Sequence, residues 1–265
     1  MHRTLLVVLL LGVAPGSAGV ASADRLAEPR EVARGGYYAP RFAPDGGQLL
    51  VTGPKQRGLY LAPLAGGAIR RLTDEAAAGV DARFHADGSV EYRAVRAGTR
   101  RDLVIGRDGA VRAAATTSAP IAVAQDDRIY VRSRSGELAQ VGAGDAFFSP
   151  LVSPDGDKVA FQGLATGLYI YTRSTARLTH VGAGTAPAWS PDGSRLLYEL
   201  TEDDGHEILA SDIYLYDVAT ARQHRLTATD RAIERRPHFS PDGRQVAFDD
   251  DNGGIWLARL EEVSR

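Results

Sequence analysis

Cysteine is absent from this 265-residue chain, and lysine occurs only twice, at Lys55 and Lys158. Without thiols there are no disulfides, no thiolate metal centres and no site for N-terminal lipidation, so packing and hydrogen bonds must hold the fold. Excess charge is missing too: 31 basic residues face 33 acidic ones, for a formal net charge of −2. No overall basic excess points to nucleic acid, and no acidic excess marks a solvating tail. Catalytic signatures are also lacking. No Gly-x-Ser-x-Gly elbow, His-Glu-x-x-His pair, phosphate-binding loop or dinucleotide fingerprint occurs.

The one sustained apolar run, Leu5 to Val13, is too short to span a hydrocarbon layer of about 30 Å. It follows His2 and Arg3 and precedes Ala21-Ser22-Ala23, the small residues that a signal peptidase requires. Residues 1–23 are therefore expected to be a signal peptide cleaved near Ala23. Residues 24–265 are expected to form a single domain, periplasmic or secreted. Core and turn material is plentiful, with 44% hydrophobic residues, 29 glycines and 13 prolines.

Much of that glycine and proline recurs in one pattern. Pro40 to Gly46, Pro150 to Gly156, Pro187 to Gly193 and Pro237 to Gly243 align, three of them through Ser-Pro-Asp-Gly and the first through Ala-Pro-Asp-Gly. A fifth copy, Arg83 to Gly88, lacks both prolines. Proline fixes the first turn dihedral and Asp-Gly reverses the chain, so each copy joins two strands. Second strands follow at once, as in Val159-Ala160-Phe161 and Leu196-Leu197-Tyr198. Third strands alternate, as in Ile213-Tyr214-Leu215-Tyr216. Fourth strands carry Arg71-Leu72-Thr73, Arg177-Leu178-Thr179 and Arg225-Leu226-Thr227. A degenerate unit lies between Pro120 and Val141, with only a weak strand around Leu138.

Six units of roughly 40 residues predict an all-β fold, a six-bladed β-propeller of four-stranded antiparallel blades. The last unit stops after its third strand, and Pro29 to Arg34 is the candidate strand to close that blade from the N-terminal side. The Phe/Trp-Ser-Pro-Asp-Gly turn, the Ile-Tyr strand and the Leu-Thr strand resemble the WD40-like repeat of TolB-like β-propellers. The resemblance implies a propeller alone, without the α/β domain that precedes it in TolB or the hydrolase domain of propeller peptidases.

Because the turn serines recur, the departures from the repeat are the informative places. Asp203 and Asp204 in blade five, and Asp249, Asp250 and Asp251 in blade six, are expected on neighbouring acidic loops. Two readings are open there: a divalent cation site suited to Ca²⁺, or a solvated acidic rim. No other cofactor is expected. Lys55, Arg57, Arg96, Arg100 and Arg101 give the matching loops of blades one and two the opposite sign. Such a charge separation suits a protein partner. Arg41, Arg83 and His238 alternate with apolar neighbours and are expected at the channel mouth, able to take an anion or simply to bond backbone.

The expectation is an exported, monomeric, non-catalytic propeller that binds or scaffolds another envelope or extracellular protein, without nucleic acid or membrane insertion. Its rivals are a polysaccharide-acting lyase or hydrolase at the channel mouth, which some TolB-like propellers resemble, and a Ca²⁺-stabilised structural propeller.

Overall fold

Each Ser-Pro-Asp-Gly motif closes on itself. Ser190 Oγ donates to Asp192 Oδ1 (2.6 Å) and accepts from Arg195 N (2.9 Å), while Ser194 N donates to the same carboxylate (3.0 Å). Ser153 with Asp155 and Ser240 with Asp242 repeat the arrangement at 2.5 Å. The following glycines, Gly156, Gly193 and Gly243, take φ of 70°, 67° and 72°, the left-handed region open to them. The serine hydroxyls, ahead of the backbone donors, draw Asp155 and Asp192 down to about 2. Because those values lie below the ordinary carboxylate range, the stabilisation is present above pH 4 and is lost as pH falls toward 2.

The computed structural model describes residues 24–79, 82–96, 98–115, 120–133, 135–229 and 233–261. The expected signal peptide lies outside the described residues. Blade one contains Tyr38–Phe42, Gln48–Thr52, Arg57–Pro63 and Arg70–Ala76. Blade two contains Arg83–Phe84, Val90–Arg96, Thr99–Ile105 and Val111–Ala113. Blade three has three described strands, Ala122–Gln125, Arg128–Arg132 and Leu138–Val141. Blade four follows with Phe147–Val152, Lys158–Gly163, Gly167–Thr172 and Arg177–Gly182. Blade five is Thr185–Trp189, Arg195–Asp203, Ile208–Asp217 and Arg222–Arg225. Blade six has Glu234–Phe239, Gln245–Asp250 and Gly254–Glu261, and its fourth strand is Arg25–Arg34.

That last pairing is the closure anticipated from the sequence. Arg25–Arg34 lies antiparallel to Gly254–Glu261, from the pair Arg25↔Glu261 to the pair Arg34↔Gly254. Blade three, expected to be degenerate, shows three strands among the described residues. One other expectation needs correction. In blade five the fourth strand ends at Arg225, because Thr227 Oγ1 leaves the ladder to accept from Ile213 N (2.9 Å).

Second strands of blades one, four, five and six are buried on both faces, so successive residues serve different seams. Leu49 and Val51 pack with Ala247, Ile255 and Leu257 between blades one and six. Leu50 joins Val90, Tyr92 and Leu103 between blades one and two. Apolar clusters also fill the seams between blades three and four, four and five, and five and six. Among the described residues no such cluster spans blades two and three. The face blade two turns away from blade one mixes Glu91, Arg93 and Asp102 with Val95 and Val104, and Arg93 pairs with Asp102 at 3.1 Å.

First strands meet around the axis, and four of them are bulged. Ala39, Ser149, Ala186 and Arg236 each precede the repeat proline and take φ of 53°, 52°, 51° and 50°. The register shifts across each of these positions, as between Arg235 and His238. A bulge leaves backbone N–H groups without ladder partners, and they must be satisfied elsewhere.

Candidate functional site

One repeat position of the second strands is polar, held in blades one, two, four, five and six by Thr52, Arg93, Gln162, Glu199 and Asp249. All but Arg93 are buried. Asp249 Oδ2 accepts from Ala39 N (2.8 Å), and Glu199 Oε2 accepts from Arg236 N (2.6 Å). Each carboxylate therefore reaches from its own blade into the bulge of the next and latches the seam.

Two arginines balance these acids. Arg236 Nε donates to Asp249 Oδ2 (2.8 Å), its Nη2 bonds the other carboxylate oxygen, and the guanidinium lies 5.3 Å from the Tyr38 ring centroid. Arg235 Nη2 lies 3.2 Å from Glu199 Oε1, which also accepts from Thr185 Oγ1 (3.1 Å). Burial pushes Asp249 up to about 6 against the pull of Arg236, so it is still ionised at neutral pH. None of Glu199, Arg235 and Arg236 was among the candidates read from the sequence. The available signal was a charged residue in an otherwise apolar strand, with a second charge on the bulge beside it.

Above this network opens a cavity of about 550 Å³, bounded by blades five and six and the Gly36–Tyr38 segment entering blade one. Arg235, Arg236 and Tyr38 line it, and Glu207, Asp250 and Asp251 bring acidic groups to it. The two acidic loops thus border one cavity. Asp250 Oδ1 accepts from Asn252 N and Gly254 N, and its Oδ2 accepts from Trp256 Nε1 (2.7 Å). Asp203 accepts from Gly205 N, and Asp204 from His206 N and Glu207 N. Among the described residues no three His, Asp or Glu side chains come together to hold a metal ion.

At the axis, Arg41 lines a small cavity of about 80 Å³ with Pro40, Ala186, Pro187 and Arg236. His238 stands beside Arg41 on the neighbouring first strand. Its Nδ1 lies 2.9 Å from the Phe239 carbonyl oxygen. Burial, and then the charge of Arg41, lower His238 to about 4. Arg83 is held elsewhere: it pairs with Glu91 of its own blade at 2.8 Å, as does His85 at 2.9 Å. Lys55, Arg57, Arg100 and Arg101 are exposed, and the Arg96 side chain lies outside the described residues.

His238 should stay neutral where an ordinary histidine titrates. Its contribution to folding is present above about pH 6.5 and is lost as pH falls toward 4, since the unfolded chain takes up the proton first. Imidazole resonances followed by NMR from pH 8 to pH 5 are expected to leave His238 in one neutral form. A midpoint near 6.5 would contradict this account of His238.

Residues 136–256 match the family model described as the TolB beta propeller domain. Over those residues the propeller is TolB-like. A TolB homolog from Chlorobium chlorochromatii strain CaD3 is 35% identical over 106 residues, covering 38% of this chain and 22% of that protein. The chain thus spans less than a quarter of the length of the curated relatives it matches. A gluconolactonase from Xanthomonas campestris superposes with TM-score 0.56 at 13% identity, over 89% of this chain and 91% of that one. The tricorn protease gives 0.54 at 15% identity, over 88% of this chain and 27% of that one. At such identities these two structures speak to the fold alone.

Proposed function

We propose that this TolB-like propeller is an exported, non-catalytic module that binds another envelope or extracellular protein through the face bearing its second-to-third-strand loops. One observation carries the reading. The second hairpin of blade five runs on to the pair Asp203↔Ile208 and displays Leu209, 62% exposed, beside the acidic side of the cavity. Nearby arginines are already neutralised by Glu199 and Asp249, so Glu207 and Asp251 add acidic charge beside the cavity, next to Asp203, Asp204 and Asp250, whose hydrogen bonds come from backbone and indole N–H groups. An apolar knob beside such acids suits a partner that presents basic groups around an apolar pocket. The TolB-like repeats support a binding role, and the signal-like pattern of residues 1–23 supports export. Among the described residues no helix is long and apolar enough to cross a membrane.

Capture from an envelope extract tests this. The tagged chain is expected to retain a partner that is lost from the triple variant Glu207→Gln, Asp251→Asn and Leu209→Ser, with the melting temperature unchanged. An identical set of captured proteins from both would overturn the reading.

A further inference from the structure

Among the described residues, blade three carries an unfilled strand position. In blades one, two, four and five the fourth strand comes from the same stretch of chain. In blade six it is supplied from the distant segment Arg25–Arg34, so this fold accepts a fourth strand that is not contiguous with the rest of the blade. Blade three ends at Leu138–Val141, and among the described residues nothing pairs with the outer edge of that strand.

The register identifies the groups left open. Ser133 N donates to the Glu137 carbonyl (2.7 Å) across the turn, whereas Arg132 N points the opposite way, to the Ile121 carbonyl (2.7 Å). The pairs Val131↔Ala139 and Ile129↔Val141 therefore exchange ladder bonds, and alternation turns the N–H and C=O of Leu138 and Gln140 outward. Leu138 is 43% exposed, and Ala139 and Gln140 are exposed as well, so no described segment covers this edge. Edge strands are normally blunted by charge or proline, and Leu138-Ala139-Gln140-Val141 contains neither.

We propose that blade three receives its fourth strand from another polypeptide, an extended segment of arginine–aliphatic–threonine character that pairs antiparallel with Leu138–Val141. That chemistry is taken from the fourth strands of blades one and four, which carry Arg71-Leu72-Thr73 and Arg177-Leu178-Thr179. Main-chain hydrogen bonds give such an addition its affinity and alternate side chains give it selectivity. This edge is distinct from the loop face assigned above and stands or falls separately from it.

The probe is a synthetic peptide with the sequence of residues 175–183, which spans the fourth strand of blade four, added to the full chain. Amide hydrogen exchange at Leu138 and Gln140 is expected to slow about tenfold when peptide reaches ten times its dissociation constant. Ala139 and Val141, already bonded inward, should change little. Gln140→Pro removes an outward donor without touching a ladder bond, so it should abolish protection at Leu138 while leaving the melting temperature unchanged. Leu138→Pro, read at Gln140, provides the second variant. Unaltered exchange at millimolar peptide, or protection that survives both prolines, would overturn the proposal. A peptide-independent dimer that Gln140→Pro dissociates would also overturn it, in favour of self-pairing.

Discussion

Replacing Arg236 with alanine is expected to destabilise the propeller by about 3–5 kcal/mol, because it strands a buried carboxylate without its counter-charge. Asp249 has no exposed surface, and its remaining partner would be the Ala39 N–H. A loss of that size is a large share of the roughly 5–15 kcal/mol that holds an ordinary domain together. The double variant Arg236→Ala, Asp249→Asn should recover much of it, since an asparagine oxygen can still accept from Ala39 N without a buried charge. The deficit of the single variant should also shrink on acidification. Without Arg236 the carboxyl of Asp249 rises further above about 6, so by pH 5 the variant buries a neutral acid. Denaturant melts of the wild type and the two variants at pH 7 and pH 5 measure all of this. Equal losses for the single and double variants at pH 7 would contradict it.

Removing Arg25–Arg34 should have a still larger effect, the loss of cooperative unfolding. The segment supplies the fourth strand of blade six and also belongs to two seams. Leu26 packs against the cluster between blades five and six, and Val32 and Ala33 against the one between blades six and one. Burying a leucine or valine side chain is worth about 1.5–3 kcal/mol, and the ladder to Gly254–Glu261 would go as well. Its loss also exposes a long strand edge, a template for aggregation. A chain beginning at Gly35 is expected to show no sharp thermal transition, and a peptide covering residues 24–34 should restore one. A transition within a few degrees of the full chain would show that the ring closes without this strand.

Turn chemistry made the architecture readable. Ser-Pro-Asp-Gly bonds within itself, so its meaning is local and survives in one dimension. The closing strand could be inferred because an unfilled edge in the last unit needed a partner. The weak segment around Leu138 proved to be the third strand of blade three, Leu138–Val141, and nothing in the sequence marked that no described strand would follow it in that sheet. The ionic latch was harder still, because Glu199 meets Arg235 and Arg236 only when blade five packs on blade six. Strand alternation identifies which face a residue occupies, not which neighbour it meets. For that reason Arg41 and His238 do come together, while Arg83, placed with them by the repeat, is taken up by Glu91.

The same geometry gives the two rims of the ring different roles. First-to-second-strand turns are locked by their own hydrogen bonds and sit at one end of the hairpins. Second-to-third-strand loops sit at the other end, and there the repeat is broken by the long hairpin of blade five and the acidic turn of blade six. The central claim is that partner recognition belongs to the second rim. A photo-crosslinking amino acid placed at position 209, and separately at position 194 on the opposite rim, tests it in an envelope extract. The account predicts a specific crosslinked adduct from position 209 and none from position 194. An adduct from position 194 alone would contradict it.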